Sequence, residues 1–270
     1  MPQGLVASAG WTVSHWFYRL DRARWLELPE AARADAVAGT QRWLARALAE
    51  EGMQLVPLAP VGKADLAFLA VHPDLWRHQQ LGQEIAASGL GACLAPVFSF
   101  LSISEASEYM TTDADWARIL IEEQQVDPAA PDFASRIQGF RKRMAAYADA
   151  RLHPRLPDNF PIVCFYPMAK ARRDVRNWYA LPFEERKQLM QGHGEAGRRY
   201  ASRVTQLVTT STGLDDWEWG VTLFAADLKA IRDVVYEMRF DPGSALYGVF
   251  GPFYIGIRFA PEELAEVLRI

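Results

Sequence analysis

Cysteine and histidine are scarce in this chain of 270 residues, with two of the first and five of the second. Cys93 and Cys164 both sit in apolar, strand-like runs, which predicts reduced core thiols rather than a disulfide and fits a cytoplasmic protein. His15, His72, His78, His153 and His193 are scattered, which argues against a His-rich or Cys-rich metal cluster. No run of about 18 apolar residues occurs, so no membrane-spanning helix is expected. The first residues lack the basic start and apolar stretch of a signal peptide. Eighteen glycines and 16 prolines are too few for a collagen-like or linker chain. P-loop, dinucleotide fingerprint and nucleophile elbow are all missing. Zinc fingers, RNA-binding motifs and basic tails are missing as well, and the net charge is −4, so nucleic acid is not an expected partner.

Apolar residues make up 50% of the chain, enough for a large core without staples. Charge is unevenly placed. Residues 136–203 hold 15 Lys/Arg against 6 Asp/Glu, while the rest hold 14 against 27. Such a segment is either a solvated helical face or a local field that attracts an anionic small molecule.

The chain also repeats itself. Trp25, Leu28, Pro29, Arg33 and Gly39 recur as Trp178, Leu181, Pro182, Arg186 and Gly192, all at an offset of 153. Asp74-Leu75 recurs as Asp227-Leu228. The elements repeat too. In the first half, strands are expected over 11–19, 54–58, 66–71 and 92–103, with helices over 29–50 and 74–88. In the second half, strands are expected over 162–166, 204–210, 218–224 and 249–259. A helix there opens near Pro182, and another is capped by Asp227 and runs to about Met238. Each half thus reads β-α-β-β-α-β, a ferredoxin-like unit with helices on one sheet face. Two such sheets can cover each other's bare faces. The expected fold is α+β: tandem ferredoxin-like repeats forming a dimeric α/β-barrel-like subunit. Its expected units are 8–104, a helical connector 105–157 with helices near 113–125 and 131–150, and 158–270.

The repeat supplies an internal control. Gly192-His193-Gly194 stands where the first half has an ordinary helix with Thr40, and Gln206 stands where the first half has Met53. A lone helical histidine is usually structural. Glycines on both sides cost about 1 kcal/mol each in a helix, which close approach of a flat ligand would justify. A single imidazole suits an iron held otherwise by a macrocycle and does not suit zinc. Tyr166 reads as a core aromatic by type. Lys170, Arg172, Arg173 and Arg176 read either as a solvated loop or as donors to carboxylates. Arg239 and Ser244 flank the last helix–strand connection, where ligand contacts are common.

The strings CFYPMAK (164–170), NWYALPFEER (177–186), LMQGHGEAGRRY (189–200), DDWEWGVTLF (215–224) and VVYEMRFD (234–241) resemble the coproheme decarboxylases of the chlorite-dismutase superfamily, in identity and in order. The first half resembles them more loosely. The resemblance implies two ferredoxin-like domains in a homopentamer. It also implies hydrogen-peroxide-dependent conversion of Fe-coproporphyrin III (coproheme) into haem b, with propionates 2 and 4 becoming vinyls and carbon dioxide released. By the same resemblance His193 is the iron ligand, Tyr166 the radical-forming tyrosine, and Lys170 the lysine beside the reacting propionate. Met168 is a pocket residue within the cofactor-binding run Tyr166, Pro167, Met168, Ala169 and Lys170. Arg239, Ser244 and Arg151 are propionate-side residues, and His153 stands where the family commonly has tyrosine. Gln206 is the distal residue; chlorite dismutases use arginine there, so Gln206 resembles the firmicute-like decarboxylase group. The implied partner besides the substrate is a ferrochelatase, in transient contact. A chlorite dismutase-like haem enzyme and a haem-binding carrier or sensor are the alternatives.

Overall fold

The computed structural model describes residues 4–270. Alternating and continuous apolar runs form the strands. In the first half β1 (Thr12–Leu20) leads through α1 (Arg22–Glu27) to α2 (Glu30–Leu48). β2 (Gln54–Pro60), β3 (Leu66–His72), α3 (Leu75–Ala87) and β4 (Leu94–Ser104) follow. A connector holds α4 (Asp113–Arg118), a π-helical turn Ile119–Glu123 and α5 (Phe133–Leu152). The second half begins with β5 (Ile162–Lys170) and a small hairpin, β6 (Arg172–Arg173) and β7 (Arg176–Asn177). Then come α6 (Phe183–Arg198), β8 (Val204–Thr210), β9 (Trp219–Ala225), α7 (Leu228–Met238), α8 (Pro242–Tyr247), β10 (Gly248–Phe250), β11 (Tyr254–Arg258) and α9 (Leu264–Leu268).

The repeat is structural. Trp25 and Trp178 are both buried, and Pro29 and Pro182 both occupy the N-cap of the long helix, at φ −56° and −55°. Each half-sheet has the ferredoxin-like order, β4-β1-β3-β2 and β8-β9-β5-β11. The half-sheets join at two seams, β4 with β8 (Ile103↔Thr210) and β11 with β2 (Gly256↔Pro60). All pairings are antiparallel, and the sheet closes on itself with no free edge along the seams.

The barrel interior is filled. Phe17, Phe100, Phe165, Phe224 and Tyr254 pack there with Val13, Val56 and Leu69. Phe17 stacks on Tyr254 at 4.1 Å and His15 on Phe165 at 3.9 Å. Gly220 is dictated by this packing, since a Cβ there would stand 2.5 Å from Phe100. Each fully buried side chain of this size contributes about 1.5–3 kcal/mol. With the interior occupied, a ligand site has to lie outside the barrel, between sheet and helices.

The two outer layers differ. In the first half α2 buries Ala36, Thr40, Trp43, Leu44 and Ala47 against the sheet, and Met53 and Phe68 complete that core. In the second half α7 buries Ala230, Ile231 and Val234, but among the described side chains of α6 only Lys187 is buried. α6 leans on α7 and α8 rather than sitting on the strands.

Three local differences from the sequence reading have physical causes. Strand β5 continues through Pro167 to Lys170 instead of ending at 166. Proline lacks an N–H, and Pro167 faces a break where its carbonyl accepts the Gly251 N–H at 2.8 Å. The run expected as one strand over 249–259 is therefore split into β10 and β11. Residues 251–253 bulge opposite 166–167, and a Cβ at Gly251 would stand 2.7 Å from the Pro167 ring. The short helices α1, α8 and α9 carry too few turns to show a period. Cys93 ends a 3-10 turn and Cys164 lies in β5; both are free and buried.

Candidate active site

Strand alternation sends Cys164, Tyr166, Met168 and Lys170 to the outer face of β5, beneath the helices. Pro167 and Ala169 have the opposite phase and can offer only backbone atoms to that face. Tyr166 is 8% exposed and stacks on Phe253 at 4.4 Å, with Phe250 at 5.9 Å, both rings carried by the bulged segment. Burial pushes its phenol well above the ordinary value, against a smaller opposing pull from the Arg239 charge, so Tyr166 stays protonated. The Arg239 guanidinium, at the C-terminal end of α7, lies over the Phe250 ring at 3.9 Å.

Lys170 is buried at 8% exposure. Its Nζ donates to the Gly243 carbonyl at 3.2 Å and stands 4.0 Å from the Trp178 ring centre. Burial lowers its pKa to about 8, opposed by the nearby carboxylates of Asp241 and Glu218. At neutral pH the ammonium is still the main form, with the neutral amine far more accessible than for an ordinary lysine. Its backbone N–H is anchored to Glu218 at 2.7 Å.

His193 lies on the half-exposed middle of α6. Its Nδ1 is 3.0 Å from Asp241 Oδ2 and 3.3 Å from Ser244 Oγ. A carboxylate only accepts, so Nδ1–H donates to Asp241, which leaves Nε2 as the nitrogen available to a metal. No hydrogen bond to Nε2 is found among the described residues. Asp241 is fixed in turn because it caps α8, accepting the Ser244 N–H at 3.0 Å. This is the arrangement by which a carboxylate orients a metal-binding histidine. Asp241 was not singled out in the sequence, although Asp-Pro-Gly-Ser is a recognisable cap; its distance of 48 residues from His193 hides the pairing. Ser244, expected beside a propionate, is 6% exposed and turned toward the imidazole.

Gln206 is exposed on β8, and its amide lies 3.7 Å from where a Cβ on Gly197 of α6 would stand. Gln206 pairs with Leu223, which the 153 offset matches to Ala70, the partner of Leu55. Met53, expected as the counterpart of Gln206, precedes β2 and is buried, and Thr40 is buried at the helix position of His193. A Cβ on Gly192 or Gly194 would meet only ordinary contacts, at 3.9 and 3.4 Å, so protein packing does not demand these glycines. Arg151, at the end of α5, reaches the Val208 carbonyl at 3.5 Å and keeps a buried Nε with no partner.

Other basic residues do not converge. Arg172, Arg173 and Arg176 are exposed on the β6–β7 hairpin. His153 pairs with Asp149 at 2.9 Å on the surface. Among the described residues no cluster of three or more His, Cys, Asp or Glu could hold a bare metal ion. The donors present are one imidazole with a free nitrogen, a buried phenol, a buried lysine and arginines near the sheet face. That set fits an iron porphyrin bearing carboxylates, whose ring supplies the iron's other ligands.

A family profile described as chlorite dismutase matches residues 21–259. The chain is 38% identical to a coproheme decarboxylase of Thermus thermophilus over 100% of its length and 98% of that protein's. It is 36% identical to a provisionally named heme-binding protein of Natronomonas pharaonis, and 37% identical to another of Halobacterium salinarum. It covers 96% and 94% of its own length in these matches, but only 40% and 49% of theirs. Among solved structures, a heme-binding protein from Thermus thermophilus superposes with a TM-score of 0.77 at 36% identity, covering 99% of this chain and 100% of the other. A chlorite dismutase variant of Candidatus Nitrospira defluvii superposes with a TM-score of 0.71 at 20% identity, over 97% and 95% of the two chains, a likeness of fold.

Proposed function

The chain belongs to the chlorite dismutase family, and from that membership and the site's geometry we propose that it is an enzyme, a coproheme decarboxylase. It uses hydrogen peroxide to convert propionates 2 and 4 of Fe-coproporphyrin III into vinyls, giving haem b for coproporphyrin-dependent haem biosynthesis. The observation that carries the reading is the contrast between the repeats. The first half seals helix to sheet with Thr40, Trp43 and Met53, whereas α6 buries no apolar side chain among the described residues and leaves His193 partly exposed, with Gln206 exposed on β8.

In this reading His193 Nε2 binds the iron while Asp241 and Ser244 hold the imidazole. Gln206 would be the distal residue; its amide is neutral and would supply none of the charge that an arginine there would. The bound iron porphyrin supplies the redox chemistry with peroxide. Tyr166, kept protonated by burial, would give up its phenolic hydrogen, as one electron and one proton, to the oxidising equivalents that peroxide supplies and then take a hydrogen atom from a propionate β-carbon. Passage of a second electron to the same oxidant would release carbon dioxide and leave the vinyl. Lys170 Nζ holds the departing carboxylate or moves its proton. Arg239 and Arg151 pair with the remaining carboxylates. Each decarboxylation consumes one peroxide and one proton and yields carbon dioxide and two waters.

The site is carried mainly by the proposed unit 158–270, with Arg151 reaching in from the connector 105–157 and with 8–104 carrying no haem site. Homopentamer assembly, a cytoplasmic location and transient contact with a ferrochelatase complete the proposal. No helix among the described residues is long and apolar enough to cross a membrane. The test is anaerobic mixing with coproheme followed by stepwise peroxide, with mass detection of each lost carboxyl. Appearance of haem b supports the reading. Binding without carboxyl loss would leave a haem carrier, and oxygen release from chlorite would indicate a dismutase.

A further inference from the structure

α6 bears the iron-binding imidazole of the proposed site, yet the sheet does not hold it. Other residues do. Lys187, on the second turn of α6, is buried at 7% exposure, and its Nζ lies 2.6 Å from Asp115 Oδ2. Asp115 is the third residue of α4, on the connector. The same carboxylate accepts the Thr112 N–H at 2.9 Å and the Thr112 hydroxyl at 2.7 Å, closing a capping box. Lys187 and the Thr112 contacts hold this carboxyl far below the usual range, so it is a fixed anion.

Six residues earlier in the connector, Tyr109 grips the same helix. Its hydroxyl accepts from Arg186 Nε at 3.1 Å, and its ring stacks on Phe183 at 5.7 Å. The other side of that ring meets Trp178 edge-on at 6.3 Å, and Trp178 is the ring beneath Lys170 Nζ. One short stretch of connector therefore touches both the helix of His193 and the support of Lys170.

We propose that segment 109–115 is a strap that positions α6, with the Lys187–Asp115 pair as its fastening and Tyr109 as its second hold. This rests on the reading of His193 as the iron ligand. Taking two charges out of water is costly, and such a pair adds little net stability over an apolar pair of similar volume. Its contribution is placement. It fixes the start of α6 about 9 Å along the axis from His193, at 1.5 Å per residue. A macrocycle can then enter the interval between helix and sheet while the helix keeps its register. Lys187, Asp115 and Tyr109 are positioning residues, acting through α6 and Trp178.

The test uses full-length Lys187→Met and Asp115→Asn; the second keeps the cap acceptor and serves if the first fails to fold. Amide hydrogen exchange across 186–199 in the ligand-free protein is expected to speed up tenfold or more, with α2 unchanged. The coproheme dissociation constant is expected to rise at least tenfold, and Lys187→Arg should restore both. Unchanged exchange in α6 with unchanged coproheme affinity would overturn the strap, as would a speeding of exchange equal in α2 and α6. Failure of the wild-type protein to bind coproheme would instead overturn the reading of His193, and the ligand-free exchange separates the two.

Discussion

Tyr166 and Lys170 stand two places apart on the outer phase of β5 but differ in their relation to the proton. Burial holds the phenol of Tyr166 in its protonated form throughout the neutral range, so any role for it involves loss of a hydrogen atom rather than simple ionisation. Tyr166→Phe is expected to bind coproheme within about twofold of wild type and to lose haem b formation by at least about a hundredfold, read by absorbance titration and mass detection; aromatic packing on Phe253 is retained. Lys170 titrates near 8, so its ammonium is lost as pH rises through that value. With the ammonium as the working form, kcat/KM should fall above about pH 8, and Lys170→Arg should abolish that limb because guanidinium does not titrate there. A pH profile unchanged by that substitution would remove Lys170 from the chemistry. His193 was legible because the duplication left an unlike residue in a like place. Asp241 was not, since the bond to His193 exists only once α6 and α8 have packed.

Among elements, α6 and α2 share a start and diverge thereafter. α2 is a sealed helix, whereas α6 tolerates Gly192 and Gly194 without any neighbour requiring them. Gly192→Ala/Gly194→Ala is expected to stabilise the ligand-free protein by about 1–2 kcal/mol from helix propensity, visible as a higher melting temperature. The same variant should weaken coproheme binding, because two methyl groups then stand where the flat ligand approaches. Stabilisation without weaker binding would detach these glycines from the ligand. Most strands and long helices were legible within a few residues because their periods are strong. The split between β10 and β11 was not. It depends on Pro167 facing 251–253 across the sheet, a relation that neither segment states alone.

For the molecule as a whole, folding buries two histidines, His15 inside the barrel and His78 on α3 against the outer face of β1. His15 and His78 are 2% and 3% exposed, and burial lowers their pKa values to about 3 and about 4. Both are neutral when folded and titrate near 6.5 when unfolded. The unfolded chain therefore binds more protons below about 6.5, and stability, complete above that pH, should fall as pH drops from about 6.5 toward 4. Melting temperature against pH checks this, and His78→Asn should flatten the slope. The paired half-sheets were legible from the repeat, but the filled interior was not, because it needs the register of both seams to set Phe100 against Gly220. The same closed packing governs the molecule's wear. If the proposed reaction holds, the peroxide it consumes puts the protein's own sulfur at risk. Cys93 and Cys164 are 1% and 0% exposed, and burial pushes the Cys164 thiol up to about 12. Thiolate is the form that peroxide attacks. Under the proposed reaction the fold thus withholds its cysteines from peroxide, and the sulfur beside the site is thioether: Met168 on β5, Met190 with Sδ 3.9 Å from Lys170 Nζ, and Met238 against Gly197; damage to a thioether is chemically reversible.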